Sequence, residues 1–405
     1  MDLSKNISLI SVRSLFAMFM VTMPIIVPYW RSLGLSMHEI LEIQAIFGLA
    51  VAVLEVPTGY IADLFGRKLS VVLGSFISGV GFTILLFADS YWSLVVFEVV
   101  LALACTLVSG AEDAILFESI PKGVSRKKVI GSFRSLGLIG EVLASLLAGI
   151  LVVYSFQAVL WAQVGASWIP FFISLFLVEP PRAPVKRGSH ISEIREVLAK
   201  IILREPLTRL VFINFVVAGL SSFCVVWLLQ EFWRQSQVPV SYFGVMWAAL
   251  MLVSVVMSRR AHSIEALIGA HRTLLLIALA PIAGYLLMAF APPIVGIVAG
   301  GLFYVTRGLT YVIYQDAFNW RVPSQYRATA NSFVSLFFRL GFVPIGPLLG
   351  SVVDHQGMQT GLAMLALGFS VTLVTILLPL VRRIDDLHVE YIPEAQAAEA
   401  QAAEA

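Results

Sequence analysis

The sequence predicts an all-α integral membrane protein in which twelve transmembrane helices form two pseudo-symmetric six-helix bundles. Three observations support this prediction: the composition, the length of the apolar runs, and the placement of lysine and arginine. Of the 405 residues, 59% are hydrophobic and only 13% are charged, whereas ordinary globular domains have about 25% charged residues. A soluble fold cannot bury that much apolar surface, so lipid is the solvent for most of this chain.

The apolar runs have the length that a bilayer requires. About 20 apolar residues of helix cross the hydrocarbon core, and on that scale the chain contains twelve candidate spans. They lie at residues 7–30, 38–62, 69–88, 91–118, 130–154, 156–178, 207–232, 240–258, 273–290, 292–317, 328–353 and 361–381. We expect the first to be a retained helix, because it is too long for the apolar region of a signal peptide and lacks a small-residue cleavage site.

Lysine and arginine fix the predicted orientation. With the N-terminus in the cytoplasm, 21 of the 27 lysines and arginines fall in cytoplasmic segments, four lie within spans, and only Arg31 and Arg234 lie in outer loops. This bias is typical of cytoplasmic loops. We therefore expect both termini to be cytoplasmic and the number of spans to be even.

A proline-rich and charged segment separates spans six and seven. The predicted organisation is a six-helix bundle at 1–178, a cytoplasmic linker at 179–206, a second bundle at 207–381 and a cytoplasmic tail at 382–405. The tail contains a helix-prone repeat of Glu-Ala-Gln-Ala-Ala, for which the sequence indicates no role.

The two halves resemble each other at an offset of about two hundred residues. Glu112-Asp113-Ala114 ends span four, and Gln315-Asp316-Ala317 ends span ten. Span five opens on 132–136 and span eleven on 332–336, both of the form Ser-Phe-x-Ser-Leu. Two matches in the same register suggest a parallel duplication of a six-helix unit.

The loop after span two resembles the signature of a known family. It reads Gly-Tyr-Ile-Ala-Asp-Leu-Phe-Gly-Arg-Lys from Gly59 to Lys68, which resembles the signature loop of the major facilitator superfamily. Residues 267–273 look like a worn copy of it, and Arg-Ala-Thr-Ala-Asn-Ser at 327–332 also looks like that superfamily. The resemblance covers essentially the whole chain. It implies secondary transport by alternating access, with the loop acting as a contact between the halves that stabilises the outward-open state.

The residues that this resemblance places in the gating loop also have local roles. They are Gly59, Asp63, Gly66, Arg67 and Lys68. The glycines permit a tight turn, the carboxylate favours a helix N-terminus, and the basic pair lies at the cytoplasmic surface. The alternative is a charged turn that only orients the helices. Two departures from the family pattern are Leu64, where a basic residue is usual, and Gly140-Glu141 in place of the Gly-Pro pair of many drug/proton antiporters.

Charged residues cluster at one depth in the first half. Arg13, Glu55, Glu112, Asp113 and Arg134 all fall in its cytoplasmic third. Ionisable groups within spans cost about 2.5–3.5 kcal/mol each on insertion scales, so they need partners or water. The cluster predicts either a lock that closes the inner side or a static network that fixes packing, because buried ion pairs alone do not distinguish the two.

Span ten contains the candidate substrate site. Tyr304, Arg307, Tyr311 and Tyr314 recur at i, i+3, i+7 and i+10, the spacing of one helix face. A guanidinium and three phenols can bind a carboxylate or phosphate and cover its apolar part. In the resembled family, helices one, four, seven and ten line the cavity, which would place this stripe and Asn214 of span seven beside substrate. The alternative for the aromatic stripe is core packing.

Three further charged residues lie within spans. Glu141 and Arg339 lie near the predicted midplane, and Asp316 lies near the end of span ten. Glu141 is a candidate proton carrier, because burial can raise the pKa of a carboxylate towards neutrality. It could equally stay ionised as the counter-ion of Arg307 or Arg339.

These patterns predict a secondary transporter of a small organic solute, anionic or amphipathic, coupled to protons in the cytoplasmic membrane. We expect a monomer in the bilayer without cofactor, metal or nucleic acid. No phosphate-binding Gly-x-x-x-x-Gly-Lys loop or Gly-x-Ser-x-Gly nucleophile motif occurs in the sequence, so neither ATP hydrolysis nor enzymatic activity is expected. The alternatives are multidrug-type efflux of lipophilic compounds and a non-transporting sensor or assembly protein with the same fold.

Overall fold

A computed structural model describes residues 3–121, 124–181, 199, 204–323 and 326–383, without the side chains of residues 56, 63, 127 and 328. The described residues form helices and the turns between them, with no strand among them. Eleven helices are long and apolar enough to cross a membrane. The predicted all-α membrane fold is confirmed, and these helices together with an interrupted first one correspond to the twelve predicted spans.

The helices follow one another with short turns. They are α1 (Ser4–Ala17), α2 (Ile26–Ser32), α3 (Met37–Phe65), α4 (Arg67–Phe87), α5 (Tyr91–Ser119), α6 (Arg126–Leu151), α7 (Phe156–Leu175), α8 (Pro206–Gln235), α9 (Phe243–Ile268), α10 (Ala270–Phe290), α11 (Pro293–Arg321), α12 (Arg327–Gln356), α13 (Met358–Thr372) and α14 (Leu378–Val381). Two 3-10 turns, Met23–Ile25 and Val240–Tyr242, precede α2 and α9, and a π-helical segment, Leu373–Leu377, joins α13 to α14. We call one end of each helix its outer end. This is the end that the placement of lysine and arginine predicts to lie on the non-cytoplasmic side.

The first span is not the continuous helix that its apolar run predicts. α1 ends at Ala17, and α2 begins only at Ile26. Pro24 lies within the interruption, where its missing N–H and its ring disfavour a continuous α-helix. The first span therefore consists of two helical pieces, and the backbone between them is mostly buried and lacks the hydrogen bonds of a continuous helix.

A single glycine connects consecutive helices at equivalent places in the two halves. Gly66 (φ 106°) joins α3 to α4, and Gly269 (φ 85°) joins α9 to α10. Each lies in the left-handed region that other residues disfavour. Each backbone N–H donates to a carbonyl four residues earlier, of Ala62 and Glu265 respectively. The shared turn supports the internal duplication that the sequence predicts.

The described residues pack as two compact units. The first comprises the described parts of Met1–Val185, Trp227–Leu252 and Phe342–His355; the second comprises those of Lys186–Val226, Val253–Gly341 and Gln356–Ala405. The outer ends of α8, α9 and α12 thus pack within the same unit as α1 to α7. The division of the sequence into two bundles separated at 179–206 stays a prediction.

Close helix contacts hold each unit together. In the first unit α5 packs against α3 and α4, and α1 against α6. Gly79 of α4 lies directly under the ring of Trp168, with no room for a side chain. In the second unit α10 packs against α11 and α13, and Gly284 lies in the same way under the ring of Phe303.

Candidate functional site

The predicted stripe on α11 divides into buried and exposed residues. Tyr304 and Tyr314 are buried, whereas Arg307 and Tyr311 are exposed. The Arg307 guanidinium lies 5.8 Å from the centroid of the Tyr304 ring, and the Tyr314 ring stacks on Phe215 of α8 with centroids 6.1 Å apart. The two buried tyrosines pack within the second unit. Of the four residues of the stripe, only Arg307 and Tyr311 therefore have polar groups exposed at the surface of that unit.

Arg307 is the charged residue of the stripe. It is the fifteenth of the 29 residues of α11, so it lies halfway along a membrane-crossing helix. Within the described part of the second unit, no carboxylate pairs with its guanidinium. An exposed, unpaired charge at this depth is costly in hydrocarbon and needs water or an anion beside it.

Asn214 and Tyr314 come together at a small internal cavity of the second unit. Its volume is about 30 Å³, and Ser221 and Thr372 also line it. The Asn214 amide donates to the backbone oxygens of Leu210 (2.8 Å) and Ile376 (3.2 Å), the latter in the π-helical segment. A cavity of that size holds about one or two water molecules, so in this conformation it does not admit an organic solute.

Arg13 and Glu112 form a buried ion pair between α1 and α5. Their side chains are 3% and 14% exposed. The Nε and Nη2 atoms of Arg13 also lie 3.3 Å from the Ser75 hydroxyl of α4. The pair therefore ties three helices of the first unit to one another.

Arg134 and Asp113 form a second pair with different surroundings. Arg134 Nη2 lies 3.2 Å from Asp113 Oδ2, and the side chains are 58% and 40% exposed. Arg134 lies two turns from the start of α6. The two ion pairs thus differ in burial, although the sequence places them at the same depth.

The other charged residues predicted from the sequence differ in burial and in hydrogen bonding. Glu141 on α6 is half-buried, and its carboxylate makes no hydrogen bond or ion pair within the described part of the first unit. Glu55 on α3 is half-buried as well. In the second unit, Arg339 Nε lies 3.4 Å from the Ser335 hydroxyl, and Asp316 is exposed near the end of α11.

The loop between α3 and α4 is stabilised by an acid that the sequence did not single out. The Glu179 carboxylate accepts hydrogen bonds from the backbone N–H groups of Arg67 (2.9 Å) and Lys68 (2.7 Å). It therefore neutralises the N-terminus of α4. The Arg67 side chain forms an ion pair with Glu118 at the end of α5. The side chain of Asp63 lies outside the described residues, so its predicted gating role stays a prediction.

An outer polar cluster is the largest feature that the sequence did not predict. Glu231 on α8 has a fully buried side chain and accepts hydrogen bonds from Arg31, Arg234 and Gln235. Asp354 on α12 accepts from the backbone N–H of Met37 at the start of α3 (3.0 Å). Arg31 and Arg234, which the sequence places in outer loops, indicated such a cluster. A guanidinium in apolar surroundings needs an acidic partner.

Glu98 lies two turns from the start of α5. Its side chain is buried, and its carboxylate accepts a hydrogen bond of 2.8 Å from the Gln44 amide. It is thus a buried acid on α5 with a neutral partner from α3.

The chain is similar in sequence to known membrane proteins. The family model of the Major Facilitator Superfamily matches residues 8–341. Multidrug resistance protein MdtH of Proteus mirabilis (strain HI4320) is 28% identical over 139 residues, which are 32% of this chain and 34% of the relative. MdtH of Photorhabdus laumondii subsp. laumondii is 30% identical over 139 residues, 32% of this chain and 33% of the relative. The chain thus spans about a third of the length of the curated relatives that it matches.

Solved structures share the fold over almost the entire chain. The crystal structure of nucleoside transporter NupG has a TM-score of 0.74 at 14% identity. The match covers 96% of this chain and 100% of the NupG chain. An inward-facing, unoccupied bacterial homolog of the human lysosomal transporter Spinster has a TM-score of 0.70 at 17% identity, with 92% and 95% covered. The family model matches 334 of 405 residues and the described helices have the fold of such transporters, so this multi-pass membrane protein belongs to the Major Facilitator Superfamily.

Proposed function

We propose that the protein is a secondary transporter that moves a small organic solute with an anionic group across the cytoplasmic membrane by alternating access. It is a monomer with both termini in the cytoplasm, and it uses the proton gradient rather than a cofactor. Membership of the superfamily supports the transport class, and the lysine and arginine placement supports the orientation.

The observation behind the solute class is Arg307. A guanidinium that is exposed halfway along α11, with no acid beside it in the described part of the second unit, is stable only where water or an anion reaches it. Its planar fork of donors fits a carboxylate or phosphate bidentately. Tyr311, one turn further along α11 and also exposed, supplies a ring for the apolar part of the solute and a hydroxyl for its polar part.

Glu141 is the proposed proton carrier. It is a half-buried carboxylate within a membrane-crossing helix, with no hydrogen bond or ion pair in the described part of the first unit. The competing role, a counter-ion for Arg307 or Arg339, predicts that Glu141 is needed for binding as well as for coupling. Variants of the two residues distinguish these roles.

Multidrug-type efflux of lipophilic compounds is the second candidate function. One observation favours it: the matched relatives are named multidrug resistance proteins. An exposed arginine disfavours cationic compounds, so the two candidates differ in the charge of the solute that they accept. A non-transporting protein of this fold would exchange neither class.

Solute exchange in proteoliposomes tests the proposal. Vesicles containing the purified protein are loaded with an organic anion, and the uptake of the labelled anion is compared with that of a lipophilic cation. We expect exchange of the anion. Arg307→Lys should lose about as much exchange as Arg307→Ala, at least about tenfold, because one bidentate contact is worth roughly 1.4 kcal/mol or more.

Arg260→Ala is the matched control, because Arg260 is an exposed arginine on α9, outside the loop motif. It should exchange the anion at the wild-type rate. Normal anion binding by Arg307→Ala would contradict the anionic solute class. Exchange of the lipophilic cation alone would favour multidrug-type efflux, and exchange of neither compound by any variant would favour the non-transporting alternative.

A further inference from the structure

The helix formed by α13 and α14 in the second unit widens before its end. Its π-helical segment, Leu373–Leu377, closes with a hydrogen bond from the Leu378 N–H to the Leu373 carbonyl, five residues earlier. Pro379 follows in the first turn of α14. A proline has no N–H to donate to the preceding turn, and its ring crowds a carbonyl of that turn. Carbonyl groups in the widened turn therefore need partners from outside their own helix.

An asparagine of α8 supplies one such partner. The Asn214 amide nitrogen donates to the Ile376 carbonyl in the π-helical segment at 3.2 Å and to the Leu210 carbonyl of its own helix at 2.8 Å. Both N–H groups of the amide are thereby bonded, so in this conformation Asn214 has none left to donate to a solute. Asn214 is 5% exposed, and its amide oxygen accepts no hydrogen bond within the described part of the second unit.

A second buried polar group lines the same cavity. Tyr314 is 2% exposed, and its hydroxyl makes no hydrogen bond with a described residue of the second unit. The Ser221 and Thr372 hydroxyls, also in the lining, donate to carbonyls of their own helices at 2.8 Å and 2.9 Å and keep their lone pairs. The cavity thus has an unused donor on α11 and acceptors on α8 and α13.

The chemistry of the cavity selects its occupant. Its other lining residues are apolar, among them Leu373 and Leu377 of the π-helical segment, and no acid lines it. A cation there would have no counter-charge, and a volume of about 30 Å³ is too small for an organic solute. A water molecule fits both the volume and the need for several polar partners.

We propose that this cavity is a bound-water site and that its water, together with Asn214, stabilises the π-helical segment. The water accepts from the Tyr314 hydroxyl and donates to the Asn214 oxygen, with Ser221 and Thr372 as further acceptors. It joins α8, α11 and α13 at the place where the helix widens. Asn214 is then a structural residue of the second unit and not a solute contact. The inference does not depend on the proposed function, because the site needs no solute.

X-ray radiolysis of the full-length protein in detergent, read by mass spectrometry, tests the site. Radiolysis of a bound water produces a hydroxyl radical in place, which oxidises a ring that touches it even where bulk solvent does not reach. We expect Tyr314 to be oxidised. Tyr285 is the matched control, because it is fully buried in the same unit, does not line the cavity, and donates to the Ser221 carbonyl at 2.6 Å. It should remain unmodified.

A pair of variants tests the role of Asn214. Asn214→Leu removes the acceptor at similar volume, so the oxidation of Tyr314 should be lost and hydrogen exchange of the backbone over residues 373–381 should become faster. Asn331→Leu is the control, because Asn331 of α12 lies in the same unit but bonds Asn319 and the Arg327 carbonyl, away from the cavity. It should change neither measurement.

The wild type alone decides whether water is bound. Oxidation of Tyr314 no faster than that of Tyr285 would overturn the site, and this comparison needs no variant to fold. Unchanged oxidation of Tyr314 in monodisperse Asn214→Leu would also overturn it, because water would then reach the ring without the Asn214 oxygen. Unchanged hydrogen exchange over 373–381 in that variant, or the same effects in Asn331→Leu, would contradict the stabilisation of the π-helical segment by Asn214.

Discussion

At the scale of single residues, burial separates ion pairs that the sequence treats alike. Arg13–Glu112 is buried between three helices, whereas Arg134–Asp113 is largely exposed. Exposed pairs are worth about 0–1 kcal/mol, and breaking a buried pair costs about 3–5 kcal/mol. The first pair is therefore a structural element of the first unit, and the second contributes little to stability.

This difference predicts the outcome of neutralising each arginine. Arg13→Gln should lower the free energy of unfolding by about 3–5 kcal/mol, and Arg134→Gln by less than about 1 kcal/mol. Unfolding in detergent with increasing denaturant measures both. Glu112→Gln combined with Arg13→Gln should recover part of the loss, because the stranded charge is removed. Equal losses for Arg13→Gln and Arg134→Gln would contradict the assignment.

The stripe on α11 shows what the sequence can and cannot predict for a site. Periodicity placed Tyr304, Arg307, Tyr311 and Tyr314 at the spacing of one helix face, and Arg307 and Tyr311 are exposed. Tyr304 and Tyr314 are buried, Tyr314 against Phe215 of α8. Which members of a stripe are covered depends on the neighbouring helices, and a single sequence does not specify those neighbours.

At the scale of the helices, glycines bring the outer ends of α6 and α9 into contact. A Cβ at Gly244 of α9 would lie 2.1 Å from the Ser145 carbonyl oxygen and 2.7 Å from the Gly149 nitrogen, both on α6. Backbone atoms cannot give way to a side chain at these distances. The helices can approach this closely only without one, as in other small-residue helix contacts.

Gly244→Ala should therefore force α6 and α9 apart. We expect a lower unfolding temperature in detergent. Gly165→Ala is the control, because no atom lies within 4 Å of the added Cβ. Wild-type unfolding of Gly244→Ala would show that this contact does not need the close approach.

The interruption of the first span was not predicted from the sequence. Apolar length predicted a continuous helix over 7–30, because Pro24 and Pro28 change the mean hydropathy of this long apolar run very little. Pro24 favours the interruption, but its stability depends on Gln163 and Gln230, which lie far away in the sequence. The eleven long helices were predictable because each is an apolar run of sufficient length.

For the chain as a whole, the predicted orientation rests on the placement of lysine and arginine alone. Single cysteines at Ser90 and Gln356 should label with an impermeant thiol reagent from outside, and cysteines at Ser125 and Ser263 should not. All four positions are exposed, so burial does not limit the reaction. Labelling in the reverse pattern would contradict the predicted topology.

Superfamily membership was predictable from one loop and the number of spans, because both are properties of the chain and not of its packing. The outer cluster around Glu231 was not predictable in the same way. Its members Arg31, Glu231 and Asp354 come from three distant segments. Only the folded chain brings them together.

Accumulation in proteoliposomes tests whether the protein couples transport to protons. Uptake of a labelled organic anion is measured with and without an imposed pH gradient, for the wild type and for Glu141→Gln. We expect the gradient to drive accumulation by the wild type, and Glu141→Gln to exchange the anion without accumulating it. Accumulation by Glu141→Gln as large as that of the wild type would contradict the assignment of the proton to Glu141, and wild-type uptake that ignores the gradient would contradict proton coupling itself.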